Sequence, residues 1–247
     1  MAVTGAIGTS TLVVSIPMAD KTKLWHLHNI SMFEGMPESA MNAMDRMASM
    51  AAVKPQQPIY FPDEPSRDIF FLKQGHVKIS RIHPDGREVI LDVIGPGEVF
   101  GELSLVSEEG QPNEIAQALD EALVCTIRRE DFESLLEQHP QLNVKITKRI
   151  GLRLRKFEER LTDLVFKDTR KRLATFLVRN AEEFGKMKSG TITVRMHLSH
   201  QEIALLTGAA RQTVTTTLNE FRDQGIIDFN RKEMVVKQME KLRSIAT

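Results

Sequence analysis

The sequence predicts an α+β chain in three consecutive parts: a β-barrel of double-stranded β-helix (jelly-roll) type, one long helix, and a C-terminal winged helix-turn-helix. Three observations lead there. Short β-type runs separated by turn signals fill residues 55–127, a texture that suits a sandwich or barrel. An apolar row at steps of three and four then continues from Ile146 to Leu164. Between Ser199 and Gly225, a capped helix and a glycine break lead into a second helix. The expected organisation is a flexible arm over 1–22, a barrel over 23–138, a pairing helix and hinge over 139–167, and a helix-turn-helix domain over 168–247.

The opening segment up to Asp20 has no positive patch ahead of Leu12-Val13-Val14 and reads as an arm or an over-extended start, not a signal peptide. No run reaches the roughly 18 consecutive apolar residues of a membrane helix, so no membrane partner is expected. Cys125 is the single cysteine, which excludes an intramolecular disulfide and an iron–sulfur cluster held by the cysteines of one chain. The cytoplasm is the expected compartment. The net charge of zero hides a split: residues 1–140 carry 11 Lys+Arg and 21 Asp+Glu, residues 141–247 carry 22 and 12. A basic C-terminal part is suited to meeting a polyanion.

In chain order, residues 29–52 read as helical, with Met41, Met44, Met47 and Met50 as a packing row. Strands are expected at 58–61, 68–72, 77–82, 89–93, 99–100 and 123–127, with Pro84-Asp85-Gly86 as a hairpin turn. A short helix at 129–138 is interrupted by His139-Pro140, and a long one follows at 141–166. On it, Ile150, Leu154, Phe157, Leu161 and Leu164 form the expected seam of a homodimer. Asp168 can cap a helix over 169–184, and Thr191–Val194 is a short strand.

Ser199 with Glu202 fits a capping box at the start of the next helix. Thr207-Gly208 breaks it, and a second helix begins near Ala209. Val214, Leu218 and Phe221 face inward on that helix, while Arg211, Gln212, Thr215 and Thr216 face away. Such residues reach base edges in the major groove of double-stranded DNA; arginine pairs well with guanine and glutamine with adenine. Ser199, His200, Gln201, Thr213 and Lys232 suit phosphate contacts. Ile226–Phe229 and Met234–Val236 read as the wing.

The chain resembles the Crp/Fnr superfamily of bacterial transcription regulators from about Leu24 to Val236. The similarity rests on Gly95-Pro96-Gly97-Glu98-Val99-Phe100-Gly101-Glu102-Leu103-Ser104-Leu105, on Leu164-Val165-Phe166-Lys167-Asp168, and on Leu198–Ala204 with Gly208–Val214. The first of these resembles the phosphate-binding cassette of cyclic-nucleotide-binding barrels. The resemblance implies a homodimer on palindromic DNA with RNA polymerase as a partner, and an effector pocket drawn from Gly101, Glu102, Leu103, Ser104, Asn113, Arg153, Phe157 and Glu158. Arg211 matches the family's guanine-reading arginine, with Gln212 where glutamate is usual and Thr216 where a second arginine is common, so a half-site altered from TGTGA is expected.

Departures from the family pattern bear on the effector. The Arg-Ser or Arg-Thr pair that neutralises a cyclic phosphate is replaced by Pro112 and Asn113, beside Glu114. Phe157 and Glu158 stand where small hydroxyl residues meet adenine. The expected regulator is therefore not cAMP-dependent, its effector being unknown or absent. The alternative is a response to 2-oxoglutarate or another small ligand, because Arg153 and Glu158 have the spacing used by the cyanobacterial nitrogen regulator. Heme is disfavoured, since His76 and His83 sit in no heme motif, and no cofactor or metal site is expected. No P-loop, nucleophile elbow or His-Glu-x-x-His motif supports an enzyme. A sensory module that never touches DNA would fit the barrel alone.

Overall fold

The computed structural model describes residues 30, 33–61, 67–105, 114–188, 190–195, 197–230 and 233–247. The expected arm over 1–22 lies outside the described residues. Helix α1 (Glu38–Met47) leads into strands β1 (Ser49–Val53), β2 (Pro58–Tyr60), β3 (Ile69–Gln74), β4 (Val77–Ile82), β5 (Glu88–Ile94) and β6 (Val99–Phe100). A 3-10 turn at Glu102–Leu105 and strands β7 (Ile115–Ala118) and β8 (Ala122–Ile127) complete the barrel. Two four-stranded antiparallel sheets face each other in the orders β1-β8-β3-β6 and β2-β7-β4-β5, the expected double-sheet architecture.

Between the sheets, Tyr60, Phe70, Leu72, Phe100 and Val124 form one core. On the outer face of the first sheet, Phe33, Met41, Met44, Phe71, Phe132, Leu142 and Ile146 form another, which fastens the helices to the barrel. The hairpin β4–β5 closes through the predicted turn: the Gly86 N–H donates to the His83 carbonyl, and Gly86 has φ +85°.

The N-terminal helix is shorter than its methionine row suggests. Met41 and Met44 are core residues, but the helix stops at Met47, and Ser49–Val53 pairs with β8 in register Ser49↔Thr126 to Val53↔Ala122. Ladder bonds to an existing strand override the good but small per-residue helical preference of Ala51 and Ala52. Strand β7 also escaped the sequence reading, because Ile115-Ala116-Gln117-Ala118 has little β-branched character.

Helix α2 (Arg129–Gln138) precedes the long α3 (Pro140–Phe166), with Pro140 in its first turn, where its missing N–H costs nothing. Helix α4 (Thr169–Phe184) is capped by Asp168, whose side chain accepts from the Lys171 N–H at 2.9 Å. Strands β9 (Lys186–Lys188) and β10 (Thr191–Arg195), helices α5 (His200–Thr207) and α6 (Arg211–Asp223), strands β11 (Ile227–Phe229) and β12 (Glu233–Val236), and helix α7 (Met239–Ala246) make the C-terminal domain. Its sheet runs β11-β12-β10-β9. Leu173, Leu177, Ile203, Val214, Phe221, Ile226, Met234 and Leu242 are its core.

Candidate nucleic-acid interface and barrel cavity

The helix-turn-helix forms as its local chemistry dictates. The Ser199 hydroxyl accepts from the Glu202 N–H at 3.3 Å, and Glu202 Oε2 accepts from the Ser199 N–H at 2.7 Å. The Ser199 hydroxyl also donates to Glu202 at 2.8 Å, so its proton serves the cap. Gly208, with φ +61° and ψ 40°, turns the chain in the left-handed region. Val214, Leu218 and Phe221 are buried, as their spacing predicts.

Arg211, Gln212, Thr213 and Thr216 are exposed on the first turns of α6, and Gln201 is exposed on α5. Thr215 is half-buried: its hydroxyl donates to the Arg211 carbonyl at 3.0 Å and lies 2.9 Å from His200 Nδ1. With the hydroxyl proton on the Arg211 carbonyl, the imidazole is the donor to Thr215, its proton on Nδ1 and Nε2 an acceptor. Burial, and then the charge of Arg211, lower the pKa of His200 below the usual histidine value. Ala210 provides no side-chain cap to α6, so the first amides of this helix are open to an anion. Lys232 lies outside the described residues.

A cavity of about 1010 Å³ opens between the barrel, α3 and the C-terminal domain, with Gly101, Glu102, Leu103, Arg153 and Phe157 among its lining. Arg153 is its electrostatic centre. Its Nε lies 2.7 Å from Asp92 Oδ2, and its Nη1 pairs with Glu102 Oε1. Burial alone would lower the pKa of this guanidinium, but Glu102 and Asp92 together raise it. Glu102 Oε2 is buried without a hydrogen-bond partner among the described residues. Arg81 pairs with Glu114 at 3.4 Å, and the Glu114 pKa is raised, chiefly by burial. Burial followed by the charges of Glu114 and Glu102 raises that of the Tyr60 hydroxyl.

Two expected pocket residues do not line the cavity. Glu158 follows Arg153 by five positions, about 140° around an α-helix, and is exposed; Phe157 and Arg160 share the Arg153 face instead. Ser104 is buried in the 3-10 turn, away from the lining. Asn113 lies outside the described residues. The sequence reading also missed Tyr60, Arg81, Asp92 and Arg160. For Asp92 a signal existed: it is the one charge in the run Val89–Ile94.

Residues 51–139 match a model described as a cyclic nucleotide-binding domain, and residues 171–245 one described as a Crp-like helix-turn-helix domain. A CRP-like cAMP-activated global transcriptional regulator of Mycobacterium tuberculosis is 30% identical over 216 residues, 87% of this chain and 96% of that protein. A global nitrogen regulator of Synechocystis is 32% identical over 181 residues, 72% and 80% of the two chains. This chain belongs to the Crp/Fnr family. Among solved structures, a CooA variant from Carboxydothermus hydrogenoformans superposes with TM-score 0.71 at 25% identity, covering 82% of this chain and 89% of that one. FixK2 from Bradyrhizobium japonicum reaches the same score at 23% identity, covering 81% and 98%, and shares the fold.

In this Crp/Fnr regulator, Ile150, Leu154, Phe157, Leu161 and Leu164 are between 45% and 55% exposed along one face of α3. Five large apolar side chains, each about half-exposed on a helix otherwise rich in charge, make an apolar stripe that the described residues leave only partly covered. At the end of the same helix, Leu164 touches the helix-turn-helix: a Cβ placed on Gly208 would come within 2.6 Å of Leu164 Cδ2. Arg172 ties the hinge to the same turn, donating to the carbonyls of Lys167 (2.7 Å), Thr207 (2.7 Å) and Gly208 (3.1 Å). No helix among the described residues is long and apolar enough to cross a membrane.

Proposed function

We infer that this family member works as a homodimeric regulator in the cytoplasm, reading a palindromic DNA site with RNA polymerase as its partner, and that it does not depend on cAMP. The observation that carries this reading is the pair of exposed surfaces: Arg211, Gln212 and Thr216 on the recognition helix, and the apolar seam of α3. A seam that pairs two copies would present two recognition helices about 34 Å apart, one DNA turn. Gln201 and Thr213 flank the base-reading residues and suit phosphate contacts, as does a protonated His200.

The cavity supports independence from cAMP. Its central cation, Arg153, is already neutralised by Glu102 and Asp92, and Arg81 by Glu114. At either of these two arginines a cyclic phosphate would have to displace a carboxylate before gaining an ion pair of its own. The same argument weighs against 2-oxoglutarate, and Glu158 lies outside the cavity.

Selection of bound sequences from a random DNA pool, with no small molecule added, tests this. An enriched palindrome is the expected result. Tightening of DNA binding by sub-millimolar cAMP or 2-oxoglutarate would overturn effector independence while leaving the DNA reading intact. Failure to retain any DNA, with or without these ligands, would favour a sensory module.

A further inference from the structure

We propose that His76, Asp120 and His197 form a binding site for a divalent transition-metal ion of the zinc class, bridging the barrel and the DNA-binding domain. His76 lies in the β3–β4 turn, Asp120 lies in the β7–β8 turn, and His197 stands two residues before the cap of α5. Their ligand atoms all lie within 4.8 Å of one another. His76 Nδ1 is 2.9 Å and His197 Nδ1 2.7 Å from the same oxygen, Asp120 Oδ2. The two imidazoles stack with ring centroids 3.7 Å apart.

Two neutral imidazoles and one carboxylate are a donor set that zinc accepts, with a fourth position left for water. Ligand atoms of a tetrahedral zinc stand about 3.4 Å apart, given bonds of about 2.0–2.1 Å. The two nitrogen–oxygen spacings therefore need to widen by about half an ångström, and the stacked imidazoles to splay, for one ion to be held by all three. Arg195 places positive charge near His197, which should weaken the affinity for a cation.

The barrel half of the site is built in advance. The other carboxylate oxygen, Asp120 Oδ1, accepts from the His76 backbone N–H at 2.6 Å, and the Leu119 N–H donates to the His76 carbonyl at 2.8 Å. A hydrogen-bonded carboxylate of this kind is a pre-oriented ligand. Gly75 makes the close approach possible: with φ +84°, any Cβ there would fall 2.3 Å from the Glu121 carbonyl oxygen and 2.8 Å from Asp120 Oδ1. The third ligand comes from the other domain, as α5 packs on β5. A bound ion would therefore clamp the DNA-binding domain to the barrel just ahead of the helix-turn-helix.

Zinc ion titrated into the chelator-stripped, dialysed full-length protein is the test, followed by calorimetry and by the visible absorption of cobalt as a substitute. One ion per chain is expected, with a cobalt spectrum of low coordination number. His197→Ala and, separately, His76→Ala should each weaken binding at least about 100-fold. Circular dichroism of both apo variants shows whether the fold is kept, and the two lie in different domains, so a misfolded one does not remove the test. Zinc should also slow proteolysis at the hinge near Lys167. Absence of saturable zinc uptake, or uptake equal to wild type in both variants, would overturn the site; unchanged hinge cleavage in the zinc-loaded protein would overturn the clamp.

Discussion

Arg153 Nε stands 2.7 Å from Asp92 Oδ2, and the same guanidinium pairs with Glu102. One side chain of the long helix thereby carries positive charge into a barrel cavity whose own strand and 3-10 turn supply the carboxylates. The helix is thus held to the barrel by a partly buried ion pair as well as by the apolar contacts of Leu142 and Ile146. Removing one member of such a group leaves the others unpaired in a poorly solvated site. Arg153→Met should lower stability by about 1–3 kcal/mol, and Glu102→Gln in that background should recover part of the loss. Urea unfolding of the two variants checks this; equal stability of Arg153→Met and wild type would mean that the charges are solvated after all.

Arg211 is exposed at the first position of α6, pointing away from the buried Val214–Leu218–Phe221 stripe. Its guanidinium suits a bidentate contact to guanine. Arg211→Ala should cost about 1–3 kcal/mol of DNA affinity and relax preference at one base pair per half-site. Binding measured on a panel of single-base variants decides the point, because a loss equal on every sequence would make Arg211 a phosphate contact only.

Leu161 sits in the exposed seam on α3, between Phe157 and Leu164, 53% exposed. A charge there would be buried against its own copy if the seam pairs. Leu161→Glu should give monomers in sedimentation equilibrium and weaken DNA binding in parallel, with the far-ultraviolet circular dichroism unchanged. A variant that stays dimeric would place the dimer interface elsewhere.

Much of this architecture was legible because local signals agreed with the global arrangement. Ser199 and Glu202 announce a helix start by chemistry that needs no tertiary help, and Gly208 and Pro84-Asp85-Gly86 announce their turns in the same way. The helix run past Met47 and the overlooked β7 failed for one reason: alanine-rich segments take the structure their neighbours offer, and here β8 and β4 offered ladders. The cavity was half legible. Glu102 and Arg153 stand at positions a pattern can reveal, whereas Asp92 and Arg81 join them only because the barrel brings strands β4 and β5 alongside α3. Nothing in the spacing of His76, Asp120 and His197, drawn from two domains, could have brought them together in advance.

Gly208 has φ +61°, and a Cβ there would press on Leu164 Cδ2 at 2.6 Å. The far end of a leucine can move aside, so the dominant penalty of Gly208→Ala is the left-handed backbone, about 1–2 kcal/mol. The displaced Leu164 should also disturb the contact between the hinge end of α3 and the helix-turn-helix. Leu164→Ala in the Gly208→Ala background should restore little of the stability, since the backbone strain persists. Thermal unfolding checks this, and full recovery in the double variant would assign the cost to the leucine clash instead.

His200 gives the DNA-binding domain a pH response whose sign follows from its surroundings. Burial, then the charge of Arg211, depress its folded-state pKa below the usual 6.5. The unfolded chain therefore takes up a proton before the folded one does. Stability from this group is fully present above the unfolded value and is lost as pH falls through the depressed folded value. The thermal midpoint of wild type should drop more between pH 7 and pH 5 than that of His200→Gln, which has no proton to gain there. DNA affinity should respond in the opposite direction. With the proton on Nδ1 shared with Thr215, Nε2 can donate to a phosphate only once the ring is protonated. Binding measured at constant ionic strength should tighten in wild type as pH falls from 7 to 6, and the slope should flatten in His200→Gln. Parallel slopes in the two proteins would remove His200 from the phosphate contacts.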